Sequence, residues 1–378
     1  VMAKYQIPTA SYQSFTRDQI TEAHKYLDNT SSSTETPLPV LKADGLAGGK
    51  GVYLPESIEE AHSQLDRLLE DHASVLIEKR LEGREISLFA VCDGSQKAVF
   101  MPPAGDYKRR FDNNQGPNTG GMGAIAPYYL LTPHQLQTHV YPSIRRLVNG
   151  ENYRGFLYIG LMVNQSSPNS TLAPEWNVLE FNCRLGDPET QAVLSLYQNP
   201  STIPPPVTSA PSPVPTSIPL ARSPESSSSS PRKSFRPLDN CYPSFYRLLQ
   251  NAARGILSHS SDPRWHSDLV ACNVVLTNTS YPISRTSPTP IILPSLEESC
   301  LGIFSANLTT TTTTSSSSST PTRYMTTGGR IISVVAVVPD FLSALDPIYR
   351  YLGSIDYQYL SYRTDIARNI LLETTAFS

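Results

Sequence analysis

The stretch "LEFNCRLGDPET" covers residues 179–190 and places Glu180, Asn182 and Arg184 at alternate positions before the chain breaks at Gly186-Asp187-Pro188. Leu179, Phe181 and Cys183 fill the positions between. A period of two marks a strand, so Val178, Glu180 and Asn182 are expected on one face and Leu179, Phe181 and Cys183 on the other. A carboxylate and a carboxamide converging from one face form an oxygen donor pair for a hard cation. Magnesium favours such sites, with one or two carboxylates completed by phosphate oxygens and water. A half-exposed edge strand accounts for the same pattern equally well.

Upstream, "KADGLAGGKG" (42–51) shifts the balance. Gly45, Gly48, Gly49 and Gly51 allow close backbone approach to a ligand, and backbone N–H groups in such a turn can cradle phosphate. Lys42 and Lys50 add point charges. The Walker pattern is not met, because Gly51 follows Lys50 where Ser or Thr is required. A second glycine-rich loop, "GPNTGGMGAIAP" (116–127), contains Asn118, Thr119, Gly120 and Gly121. It follows "AGDYKRR", which supplies Asp106, Lys108 and Arg109, a mixture suited to a small charged substrate.

Around these loops the periodicities alternate. Residues 36–54 read as strand, turn and strand, and 57–70 as an amphipathic helix with Ser57 and Glu60 at capping-box spacing. Strands are expected over "SVLIEKRLEG", "EISLFAVCDG", "KAVFMPPAG", "GFLYIGLMVNQ" and "WNVLEFNC", and a helix from Thr132-Pro133. Hairpins mixed with helices give α+β layers rather than a regular βαβ array.

The chain has 378 residues and a net charge of -3, so no basic field points to nucleic acid or an anionic membrane. No apolar run reaches the roughly 20 residues of a membrane span. Cys92, Cys183, Cys241, Cys272 and Cys300 are dispersed without a CxxC, which favours reduced thiols in a cytoplasmic setting. Residues 200–238 are dense in Pro and Ser and are expected to be disordered, as is a Thr/Ser tract placed at 306–322. These tracts divide the chain into 1–199 and 239–378.

Taken in order, "IPTASY", "KADGLAGGKGV", "IEKRLEGREIS", "PAGDYKR", "GPNTGGMGAIAP", "GFLYIGLM", "LEFNCRLGDPETQAVL", "TGGRIISVVAV" and "YRTDI" resemble the glycinamide ribonucleotide synthetase (phosphoribosylamine–glycine ligase) family of ATP-grasp enzymes. The resemblance implies an α+β ATP-grasp fold over 1–199, with a mobile lid at about 37–80, and a small C-terminal domain. It implies a soluble ligase of purine biosynthesis, joining glycine to 5-phosphoribosylamine through a glycyl phosphate with ATP. The implied cofactor is Mg²⁺, with Mn²⁺ as a substitute.

By the same resemblance, Glu180 and Asn182 bind the metal, and Lys42 with Gly45, Gly48, Gly49, Lys50 and Gly51 covers the triphosphate. Glu78, Lys79, Arg80 and Leu81 meet the adenine edge, with Glu85 near the nucleoside. Asp106, Lys108, Arg109, Asn118, Thr119, Gly120, Gly121, Arg184, Asp187 and Glu189 hold glycine and the phosphoribosyl group, and Lys42 and Arg184 act in catalysis. Partners are small molecules, with fusion to or association with other purine-pathway enzymes compatible with the pattern. Nothing like the family's "GGREHA" turn precedes Val1, so its first domain is expected to be missing. Gly105 and Tyr107 stand where relatives usually have Gln and His. A non-catalytic ATP-binding remnant, or an ATP-grasp ligase acting on another acid, remain the alternatives.

Overall fold

The computed structural model describes residues 1–30, 37–45, 51–95, 97–164, 174–198, 244–257, 263–283, 287–296, 298–310, 323–368 and 370. Residues 200–238, and Gly48, Gly49 and Lys50 of the glycine turn, lie outside them.

The first unit holds β1 (Tyr12–Thr16), α1 (Ile20–Thr30), β2 (Val40–Ala43), β3 (Val52–Tyr53), α2 (Ile58–Asp71) and β4 (Ser74–Glu78). Its strands form an antiparallel sheet in the order β1-β4-β2-β3. Phe15, Leu27, Leu41, Leu65, Leu69 and Ile77 are its core, contributed by both helices and three of the strands. β1 and α1, which precede residue 37, are needed to close that core. The Ser57 side chain accepts from the Glu60 amide at 3.1 Å, as the sequence predicts. The Glu60 carboxylate turns instead to the Glu56 amide at 2.8 Å.

Next come β5 (Arg84–Asp93), β6 (Ala98–Phe100), β7 (Gly105–Asp106), β8 (Arg109–Phe111), β9 (Gln115–Asn118) and β10 (Gly123–Ala126). The helical stretch opened by the Thr132 capping box comprises α3 (Pro133–Gln135), a π-type turn over Leu136–Val140, and α4 (Tyr141–Gly150). Pro142 lacks the N–H that would continue the regular ladder across this junction. The long strands β11 (Arg154–Asn164) and β12 (Glu175–Asn182) then complete a second sheet, β12-β11-β5-β6. One of its faces packs on Val140, Ile144 and Val148, and its other face carries Phe89, Val91 and Tyr158.

The third layer crosses the low-complexity insertion. It includes α5 (Glu189–Ser195), the short pair β13 (Tyr197–Gln198) and β14 (Arg264–Trp265), and α6 (Ser244–Arg254). Then follow β15 (Val270–Asn278), β16 (Pro290–Ile292), β17 (Leu301–Ser305), β18 (Leu308–Thr310), β19 (Arg323–Thr326), β20 (Arg330–Val338), α7 (Phe341–Gly353) and β21 (Leu360–Ser361). The sheet order is β17-β20-β15-β10-β7, with β21 also on β15. Ile125 of β10 pairs with Cys272 of β15, so strands from before and after the insertion share one sheet. The break in composition after residue 199 is therefore not a break in packing. The tract expected to be disordered from residue 306 is also corrected at its start: β18 pairs with β19. Thr is β-branched and suits a strand once a partner lies alongside.

Candidate active site

A β-bulge decides where the 179–190 stretch points. Leu161 opposes Val178 but Gly160 opposes Glu180, so Leu179 is an extra residue in β12. Before the bulge, Trp176 and Val178 join the core with Leu161 and Val163; beyond it, Phe181 packs against the same core. Glu180 and Asn182 consequently lie on the opposite face, opposite Gly160 and Tyr158. The expectation that Val178 shares their face is corrected, whereas Glu180 and Asn182 do share one. A bulge re-aims side chains by inserting one residue. Two contacts hold this one at the sheet edge: the Val178 amide donates to the Pro8 carbonyl at 2.8 Å, and Thr9 Oγ1 donates to the Val178 carbonyl at 2.7 Å.

The re-aimed face is polar. Glu85 and Ser87 of β5 stand opposite Met162 and Gly160, in line with Tyr158, Glu180 and Asn182. Gly160 leaves room at the centre: a Cβ there would meet Glu180 Cγ at 3.4 Å. Lys108 makes an ion pair with Glu85 and lies 4.0 Å from Asp106. Burial opposes its charge, but Asp106 and Glu85 outweigh that and hold the ammonium protonated above its ordinary range. Burial pushes the Asp106 carboxyl up, with Lys108 opposing and Glu85 reinforcing. Behind them, Ser87 Oγ lies 3.0 Å from Tyr158 Oη and donates to Glu189 Oε1 at 3.1 Å.

Glu189 is only 4% exposed, and burial, followed by the charge of Asp106, pushes its pKa up to about 7. The folded value lies above the unfolded one, near 4.5. Between these values the folded chain keeps a proton that the unfolded chain has released, so stability falls as pH rises from about 4.5 to about 7. The full effect is on the order of 3 kcal/mol. Glu189→Gln should remove the part of this decline that Glu189 contributes and leave the part due to Asp106, whose carboxyl burial also pushes up. Urea midpoints at the two ends of the window check this; a variant with the parent's slope would contradict the assignment.

The first unit reaches the same strand. Lys42 Nζ lies 2.6 Å from Glu78 Oε2 and donates to the Leu179 carbonyl, the extra residue of the bulge, at 3.3 Å. One side chain thus connects the first sheet to the residue preceding Glu180. Gly45 has φ +127°, a backbone state that L side chains rarely adopt, and the Gly51 carbonyl accepts from the Ala43 amide at 2.8 Å. In the segment 78–81, Glu78 is paired on both sides within its sheet, and the Lys79 amide donates to the Ser11 carbonyl at 2.9 Å.

The glycine loop and the Asp187 turn pack against each other. Gly121 has φ +112°, and a Cβ there would fall 2.2 Å from Pro188 Cδ. Thr119 Oγ1 donates to the Lys108 carbonyl at 2.7 Å and accepts from the Gly121 amide at 3.0 Å. Three residues beyond the insertion complete the frame. Asn273 donates to the Pro188 carbonyl at 2.8 Å, the Gly120 amide donates to Tyr281 Oη at 2.8 Å, and Arg330 binds both loops. Arg184 is exposed and donates to the Leu185 carbonyl at 2.9 Å. Arg109 is turned to its own hairpin, donating to the Gly116 carbonyl at 2.7 Å, beside Asn118 in register.

Two family models match this chain: "Phosphoribosylglycinamide synthetase, ATP-grasp (A) domain" over residues 1–190, and its C domain over 271–369. A phosphoribosylamine–glycine ligase of Leptospira interrogans is 31% identical over 98% of this chain and 73% of its own length. The chain belongs to the phosphoribosylglycinamide synthetase family. The ligase of Ralstonia nicotianae is 43% identical over 205 residues, 51% of this chain and 45% of its own length. Among solved structures, the Thermotoga maritima phosphoribosylamine–glycine ligase superposes with a TM-score of 0.67 at 28% identity, covering 97% of this chain and 76% of that one.

The two departures in "AGDYKR" each have a defined place in this chain. Tyr107 is buried in the C-terminal core, its hydroxyl accepting from the Ala367 amide at 2.9 Å, so it faces away from Asp106 and Lys108. A Cβ at Gly105 would meet the Tyr128 ring at 2.6 Å, so the Tyr128 ring occupies the space that a side chain at 105 would need. Sequence reasoning missed Ser87, Tyr158, Asn273, Tyr281 and Arg330. Ser87 was reachable, because it lies two residues from Glu85 on the same strand. For metal, no group of three His, Cys, Asp or Glu residues among the described residues could hold an ion. Glu180 with Asn182 fits the other kind of site, an oxygen pair whose remaining ligands are phosphate and water.

Proposed function

We propose that this chain carries the nucleotide, metal and acceptor sites of a phosphoribosylamine–glycine ligase. One observation carries the reading: the bulge directs Glu180 and Asn182 to the face bearing Glu85 and Ser87, while Lys42 ties the lid to the bulge itself. In the reaction, a glycine carboxylate oxygen attacks the ATP γ-phosphorus and the bond to the β–γ bridging oxygen breaks, releasing ADP. The amine of 5-phosphoribosylamine then attacks the acyl carbon; phosphate leaves with the former carboxylate oxygen, and the amine gives up a proton.

Glu180 and Asn182 would hold Mg²⁺, which when bound neutralises the β- and γ-phosphate oxygens. Lys42 and the turn from Gly45 to Gly51 would close over the triphosphate and keep water from the acyl phosphate. Glu85 would stand near the nucleoside, beside the Arg80–Leu81 backbone. Lys108, held charged by Asp106 and Glu85, suits an anionic group of glycine or of the phosphoribosyl moiety. The exposed Arg184 and Asp187 offer a cation and an anion on the acceptor side.

ADP release should require glycine and 5-phosphoribosylamine together, measured by a coupled assay on the 378-residue chain. ATP binding without ADP release would mark a non-catalytic remnant. Faster ADP release with a different acid would mark another ligase of the fold.

A further inference from the structure

We infer that Arg330 is a positioning residue for the acceptor side of the site, locking the glycine loop and the Asp187 turn into one rigid frame. The inference rests on the ligase reading above. Arg330 opens β20, far from both loops in sequence, and its side chain is 20% exposed. Nη1 donates to the Gly120 carbonyl at 2.8 Å and to the Asp187 carbonyl at 2.9 Å; Nη2 donates to Asp187 Oδ2 at 2.8 Å. One planar guanidinium therefore satisfies two backbone carbonyls and a carboxylate on two separate loops. A lysine ammonium is a point donor and cannot reproduce that fork.

Both oxygens of Asp187 are oriented by protein groups, because Oδ1 accepts from Gln191 Nε2 at 2.9 Å. Its side chain is nevertheless 49% exposed, so remaining lone pairs face outward in a fixed direction. Arg330 also lies against Gly120, where a Cβ would come within 3.4 Å of its Cζ. The frame leans on the Gly121–Pro188 contact and on Asn273, but of these groups Arg330 alone bonds both loops with its side chain. Its role is to set the distance between loops that would grip glycine and the phosphoribosyl amine. The Arg330 side-chain bonds go to Gly120 and Asp187 and none reaches a described residue of 37–80, so nucleotide affinity should be indifferent to it.

Arg330→Met should lower kcat/KM for glycine and for 5-phosphoribosylamine about 10²-fold, as expected for a small displacement of groups that orient substrates. ATP affinity, measured by titration with a non-hydrolysable analogue, should stay at the parent value. Arg330→Lys should recover part of the loss, and it carries the kinetic comparison if the Met variant does not fold. Parent-like kinetics in Arg330→Met, or an ATP affinity that falls in step with the other substrates, would overturn the inference. If the parent itself does not turn over, the ligase reading fails and amide hydrogen exchange decides the structural part. Arg330→Met should then speed exchange at residues 119–121 and 187, and unchanged exchange there would refute the frame.

Discussion

Glu180→Gln is expected to lower magnesium-dependent ADP formation about 10³-fold while leaving the unfolding midpoint at the parent value. The substitution keeps size and shape and removes only the charge. Glu180 is exposed, and substitutions at such positions usually change stability by less than about 0.5 kcal/mol. A bound divalent ion stabilises developing phosphate charge by several kcal/mol, and about 4 kcal/mol corresponds to a factor of about 10³ in rate. Weakened metal binding should also appear as a higher magnesium requirement, so part of the loss should return as the metal concentration is raised. Initial rates across a magnesium series, with circular dichroism on the same samples, check both statements. A variant that keeps the parent's rate at low magnesium would remove Glu180 from the metal site.

Gly121→Ala should be the most damaging single methyl group in the acceptor loops. Its φ of +112° is strained for any L side chain, and the new Cβ would fall 2.2 Å from Pro188 Cδ and 2.9 Å from Cγ. The proline ring cannot rotate away, and its carbonyl is held by Asn273 at 2.8 Å. Either the loop or the Asp187 turn must move. Backbone strain of this kind is worth about 1–3 kcal/mol, and overpacking adds about 1–3 kcal/mol. Destabilisation of about 3 kcal/mol is expected, with kcat/KM for the acceptor substrates falling about 10²-fold. Gly45→Ala separates the two causes, since its φ is +127° but no described residue lies within 4 Å of the added Cβ. It should show strain alone, about 1 kcal/mol by urea denaturation. Equal losses at the two positions would mean that the Pro188 contact is not what holds the turn.

Much of this architecture is visible in the residues themselves. The paired strands around the glycine turn, the α2 helix with its Ser57 cap, and the long β11–β12 pair all carry local signals of period or capping. The bulge also left a trace. Apolar residues fall on 176 and 178, then on 179 and 181, so the period changes phase within "WNVLEF". Reading strict alternation through that change assigned Val178 to the wrong face. The cross-insertion sheet has no local signal at all, since Ile125 meets Cys272 only through packing. For the same reason Arg330, Asn273 and Tyr281 could not be given roles, although "TGGR" is a recognisable stretch. Tyr107 shows the converse error. It departs from the family pattern within a stretch read as part of the site, yet the side chain faces the C-terminal core.

A crystal structure of the chain with Mg²⁺ and a non-hydrolysable ATP analogue tests the central claim most directly. The ion is expected at about 2.0–2.1 Å from a Glu180 carboxylate oxygen and from Asn182 Oδ1, with phosphate oxygens and water completing the octahedron. Metal held instead by Glu85 and Asp106, or a triphosphate lying beyond reach of Glu180 and Lys42, would contradict it.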